Sequence, residues 1–311
     1  MWAVFLQTLP FFAVIGLGYG AAKVGFFPPI ATAYLTRFVF YFALSAMLLN
    51  FSVGLRLGDI FSWGFLAAYL LGTSVVYLIV TAIAFARGHS IAETAFEAQC
   101  GVIGNVGFLG IPMLTLLLGE AAIGPIMFVL AIDLIVFGSI VVILVTGSRD
   151  GKMSLGALRS IGFGLITNPM IVSITVGLLY SVSGLPLPTP AASFLTMLGA
   201  AATPGALFAI GASLAGKSAE RMAVAGWLSL TKLALHPAAV AIAALWIFDV
   251  EPYAAGVMIT CAALPVAGNV YILAQHYGVA PTRVSASILL STIAGIITIP
   301  AVIAQVTGIM P

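Results

Sequence analysis

Apolar runs long enough to cross a lipid bilayer follow one another almost without pause along this chain, and nothing else in it restricts the fold so much. The hydrocarbon layer offers no water to the backbone. A run of about 20 apolar residues is therefore stable there only as a helix that satisfies its own N–H and C=O groups. Ten such runs are legible, at residues 2–22, 34–53, 61–86, 93–117, 121–146, 161–183, 193–215, 222–248, 252–274 and 283–307. Between them, stretches such as KVGFFPPIAT, ARGHSIAE, SGLPLPTP and HYGVAPTR carry the Gly, Pro and polar residues that stop helices. Ser90 and Glu93 have the spacing of a capping box at the start of the fourth run. The first run lacks a basic start and carries Pro10, Gly16, Gly18 and Gly20, so it reads as a retained span suited to close packing, not a cleaved signal. The expected class is an all-α integral membrane protein with ten transmembrane helices.

Composition removes several functions. Only 6% of the residues are charged and the net charge is +2, so no basic surface exists to track a nucleic acid. Cys100 and Cys261 lie inside apolar runs, where thiols behave as small hydrophobes and not as bridges. His89, His236 and His276 are scattered without metal-ligand spacing, and no cofactor is expected. No GxxxxGK[ST] sequence is present to drive transport with ATP. An intramembrane enzyme would want clustered carboxylates, paired histidines or a nucleophile with a base. A channel would want a ring of charge along its pore.

Orientation follows from the basic residues, which resist translocation. Lys23, Arg37, Arg87, Arg149, Lys152, Arg159, Lys217, Arg221 and Arg283 fall at one face, against Arg56 beside Asp59, Glu120, Asp249 and Glu251 at the other. Both termini are then expected on the non-cytoplasmic side of the cell inner membrane, with a cytoplasmic connection at 147–160 joining residues 1–146 to 161–311. The two parts repeat one another. Thr8 to Phe11 (TLPF) matches Thr167 to Met170 (TNPM), Tyr19 matches Tyr180, Phe26 to Pro29 matches Leu185 to Pro188, Tyr34 to Thr36 matches Phe194 to Thr196, and GNV recurs at Gly104 and Gly268. Each part has five spans, an odd number, so the second is inverted relative to the first, as in many secondary transporters.

The fourth and ninth spans are interrupted. CGVIGNVGFLGIP places Gly101, Gly104, Gly107, Gly110 and Pro112 in one short stretch, and LPVAGNVYILAQHYG places Pro265 before Gly268. Broken helices persist in membranes where they line a cavity, and half-helix N-termini at mid-membrane favour an anion. Asn105 and Asn269, equivalent in the repeat, offer amide donors at that level. Close packing with Asn as interhelical glue is the bland alternative for either span alone. Interruption at corresponding places in both favours a binding site.

These features resemble the auxin efflux carrier family, within the wider bile-acid and arsenite transporter grouping. The likeness rests on GNVGFLGIP, Asn168-Pro169, the TPGALFAIGASL of the seventh span and LPVAGNVYILAQHYG. It implies that spans four and nine cross at mid-membrane and that a small carboxylate binds beside the crossing, near Gly104, Asn105, Pro112, Pro265, Gly268 and Asn269. Bacterial relatives are often assigned to malonate or other organic acids. The long cytoplasmic loop of many plant members is missing, so regulation through it does not carry over.

Four ionisable residues fall inside apolar spans, where they are costly and usually functional: Glu97, Asp133, Lys232 and His236. Glu97 reads either as a solvated helix end or as part of the site. Lys232 and His236 share a helix face and either attract an anion or, for Lys232, neutralise Asp133. His236 precedes Pro237 and also fits a simple kink. Near the breaks only Gln99 and Glu97, and beyond them Gln275 and His276, are available, which argues against a carboxylate sodium site. The expectation is a secondary transporter of a small organic anion, with an intramembrane enzyme or a sodium-coupled bile-acid-type symporter as alternatives. Its expected partners are that anion and the lipid bilayer, with a homodimer left open.

Overall fold

The computed structural model describes residues 2–55, 62–150, 159, 162–163, 166–216 and 222–308. Twelve helical segments are used below. They are α1 (Trp2–Lys23), α2 (Pro29–Gly54), α3 (Trp63–Ala86), α4 (Ile91–Val102), α5 (Val106–Leu118), α6 (Glu120–Ser148), α7 (Pro169–Val182), α8 (Thr189–Leu214), α9 (Met222–Ile247), α10 (Pro252–Ala262), α11 (Gly268–Tyr277) and α12 (Pro281–Val306). Seven helices, in α1, α2, α3, α6, α8, α9 and α12, are long and apolar enough to cross a membrane. The interrupted fourth run is α4 plus α5, and the ninth is α10 plus α11. The sixth run, expected at 161–183, holds the shorter apolar helix α7, which starts at Pro169; the other helices begin and end within about five residues of their runs. Arg56, Asp59, Lys152, Lys217 and Arg221 lie outside the described residues, as does most of the 147–160 connection.

Local chemistry sets the helix ends. Ser90 Oγ accepts from the Glu93 N–H while the Glu93 carboxylate accepts from the Ser90 N–H, the capping box read in the sequence. Asn168 Oδ1 accepts from the N–H groups of Met170 and Ile171 behind Pro169, and the Glu251 carboxylate accepts from those of Tyr253 and Ala254 behind Pro252. In both, proline occupies a first-turn position whose missing N–H costs nothing. Gly278, at φ +65°, closes α11 in the left-handed conformation that glycine adopts freely.

The helices divide by their packing. α1 lies along α8 and α7 along α2, with α2 also against α8. In the second group α3 packs on α4 and α9, α6 on α4 and α10, and α12 on α9, α10 and α11. The groups touch where α1 meets α12 and α8 meets α5. The α1–α8 seam depends on small residues: a Cβ at Gly18 would overlap the Phe208 carbonyl, and one at Gly211 the Ile15 carbonyl. Gly16 and Gly20 face open space, so the close packing expected of the first span rests on Gly18 alone of the three.

Candidate functional site

The two interruptions meet. Asn105 N–H donates to the Pro265 carbonyl at 2.8 Å and Ala267 N–H to the Ile103 carbonyl at 3.1 Å, with Gly104 and Val266 paired as an isolated antiparallel bridge. Two more of the groups freed by the breaks find side-chain partners. Val266 N–H donates to Ser291 Oγ of α12 at 3.0 Å, and the Lys232 ammonium of α9 donates to the Ala262 carbonyl at the end of α10. A membrane interior makes such satisfaction obligatory, since each unpaired group there costs several kcal/mol. Gly104 is the residue that allows this approach, because a Cβ on it would meet the Cys261 carbonyl oxygen and Lys232 Nζ. The interruption lies at 103–105, so Pro112 stands in the first turn after the π-type opening of α5, beyond the break itself.

Beside the crossing runs a buried polar chain. Lys232 Nζ lies 3.1 Å from His236 Nδ1, and His236 Nε2 lies 3.0 Å from Thr73 Oγ1. With Nδ1 accepting from the ammonium, Nε2 carries the hydrogen that Thr73 receives. Tyr69, one turn before Thr73, donates to Asp133 Oδ1 at 2.8 Å, while Asp133 Oδ2 is buried without a hydrogen-bond partner among the described residues. Lys232 and Asp133 are not within ion-pair distance of each other, so any mutual compensation between them is through space and not a contact pair. His236 is fully engaged and does not merely face a kink.

Glu97 is not a solvated helix end. It is buried, and its carboxylate takes Arg283 of α12 at 2.7 Å and Arg87 from the end of α3, with His89 at 3.4 Å. Arg283 also reaches Glu93 at 3.4 Å. This cluster ties three helices together at one end of the second group. It leaves Glu97 outside the cavity described next.

That cavity, about 420 Å³, lies between the two helix groups. Its wall includes Thr36, Arg37 and Phe40 of α2, Gln99 of α4, Ile103 in the break, Asp133 and Ser139 of α6, Asn168 and Ile171 at the start of α7, and Asn269 and Val270 of α11. Apart from Phe108, just past the break, the α4 residues precede the crossing and the α11 residues follow it. Most of the cavity wall therefore lies on one side of the crossing. Asp133 and Asn269 come together in its wall; Gly104, Asn105, Pro112, Pro265, Gly268, Lys232 and His236 do not line it. Asn269 opens α11 with its Oδ1 buried and unpartnered. Asn105 holds the corresponding place before α5, and its side chain makes no hydrogen bond to another described residue.

Tyr69, Thr73, Ser291, Gln99, Asn168 and Arg37 carry much of this polar architecture and were not singled out as site residues from the sequence. Tyr, Thr and Ser are ordinary inside membrane helices. Arg37 did stand out as a charge, but it read as an orientation signal.

The similarity of the chain to known proteins is extensive. The family model described as "Membrane transport protein" matches residues 3–303. A protein of Rhizobium meliloti (strain 1021) named "Putative malonate transporter" is 29% identical over 299 residues, which cover 94% of this chain and 92% of that protein.

Proposed function

Because the chain belongs to the membrane transport protein family, the grouping of the auxin efflux carriers that its motifs resemble, we propose that it is a secondary carrier moving a small organic anion across the cell inner membrane by alternating access. The observation that carries this reading is the cavity whose wall lies mostly on one side of the crossed helices. A channel would need a path through both halves, whereas a carrier presents its site to one side at a time.

The packing supports two inverted five-helix repeats, 1–146 and 161–311, joined by 147–160. A two-fold axis in the membrane plane exchanges α1 with α7 and α2 with α8, which turns the α1–α8 contact into the α7–α2 contact. In this reading the group containing the crossing moves against the α1, α2, α7 and α8 panel. The basic ends set the termini outside, so the cavity faces the cytoplasm.

An anion is favoured by the start of α11. The first amides of any helix lack intrahelical partners and point positive partial charge outward, and Asn269 adds side-chain donors there. The malonate in the name of the Rhizobium relative agrees with a carboxylate ligand. Asn105, at the start of α5, is the matching contact when the cavity opens to the other side. With Asn269→Ala, affinity for the carboxylate falls by roughly 1.5–3 kcal/mol, the value of a hydrogen bond to a charged group.

Counterflow in proteoliposomes tests the function. Labelled malonate outside should accumulate transiently when unlabelled malonate is loaded inside, without added sodium. Saturating exchange that collapses without sodium would favour the symporter alternative. Flux indifferent to the trans substrate, or no response to any of a panel of organic acids, would remove the carrier reading.

A further inference from the structure

Arg37 is the ninth residue of α2, exposed, and stands in the cavity wall in the part of the span that the basic residues place nearest one face. A cation within a membrane span needs a counter-charge or water. Arg87 and Arg283 meet that need through Glu97. Arg37 has no carboxylate within ion-pair distance among the described residues. Asp133, in the same wall, gives one oxygen to Tyr69 and leaves the other without a hydrogen-bond partner among the described residues, so the two charges do not neutralise each other directly.

Two anion-favouring features thus face one 420 Å³ space from opposite helix groups. On the crossing side is the start of α11 with Asn269. On the panel side is the guanidinium, whose planar fork of donors matches a carboxylate in bidentate fashion. Asn168 lies in the same wall. Its Oδ1 is committed to capping α7, which leaves its amide hydrogens for a ligand. A monocarboxylate satisfies one of these features, and a short dicarboxylate satisfies both.

We propose that Arg37 is the residue that selects a second carboxylate, so that the carrier prefers short dicarboxylates to monoacids of the same size. This rests on the organic-anion reading above and narrows it to a substrate class. It also means that a bound substrate spans both helix groups, one carboxylate on each.

The test compares malonate with malonamate, a near-isostere whose second carboxylate is a neutral amide. Titration into the purified full-length protein should show malonate bound roughly ten- to 150-fold more tightly, the range of a hydrogen bond to a charged group. Arg37→Gln should bring that ratio close to one while leaving malonamate affinity near its wild-type value. Should Arg37→Gln melt early, the ratio is read in Arg37→Lys, where a point charge without the planar fork lowers it several-fold. An unchanged ratio in a folded variant, or equal affinities in the wild type, overturns the proposal while the carrier reading stands. No binding of either ligand to the wild type, together with absent counterflow, brings down both.

Discussion

At Gly104 a methyl group would meet the Cys261 carbonyl oxygen at 3.0 Å, Lys232 Nζ at 3.3 Å and Leu264 Cβ at 3.4 Å. Two of these neighbours are fixed by the crossing, and the third is held by the Ala262 carbonyl, so none retreats easily. Gly104→Ala should therefore lower stability by roughly 1–3 kcal/mol, the usual cost of overpacking. Gly268 holds the equivalent place in the repeat, yet a Cβ there meets nothing within 4 Å. Gly268→Ala should be close to neutral, or stabilising by at most about 1 kcal/mol through reduced freedom of the unfolded backbone. Thermal unfolding of the two ligand-free variants checks the contrast, and equal losses would show that the crossing does not depend on a missing side chain at Gly104. Sequence reading gave these glycines the same role. What separates them is which side of the bridge each faces, and that is fixed by residues some 160 positions away.

Among the elements, the ends of α3, α4 and α12 are joined through one carboxylate. The buried carboxylate of Glu97 pairs with Arg87 and Arg283, and its removal leaves the buried Arg283 with only the longer contact to Glu93. Glu97→Ala should destabilise the protein by about 3–5 kcal/mol, the typical cost of breaking a buried pair from one side. Glu97→Gln keeps the hydrogen-bond geometry and should lose less. Melting temperature reports both, and an unchanged value for Glu97→Ala would mean that water already solvates the cluster. Helix positions were legible because apolarity and Gly or Pro punctuation act locally, and the breaks were legible for the same reason. The pairing of Glu97 with Arg283 was not, because a charge within an apolar run states its cost without naming its partner. The cavity wall was hidden similarly: Arg37, Gln99 and Asn168 become neighbours only once α2, α4 and α7 are packed.

For the molecule as a whole, the cavity side can be compared with the basic face. Arg37, one of the basic residues that gather at one face, stands in the cavity wall, and under the positive-inside tendency that face is the cytoplasm. Alkaline phosphatase joined after Pro311 should therefore be active, and the same reporter at Gly151 inactive. The reverse pattern would place the cavity on the outer side and turn the proposed state from inward-facing to outward-facing.

The bridge at the crossing joins Ile103 and Asn105 to Pro265 and Ala267, roughly 160 residues later in the chain. At about 5–20 residues per second of synthesis, the fourth span waits some ten to thirty seconds in the membrane before its partner is made. Throughout that interval its interrupted backbone lacks the acceptors and donors that complete it, at a cost of several kcal/mol for each group left in lipid. The first half of this protein is thus an unfinished insertion product. Quality-control proteases of the membrane would meet it as a substrate, and a nascent chain stalled before Pro265 would be left with a break at its centre that no part of itself can close.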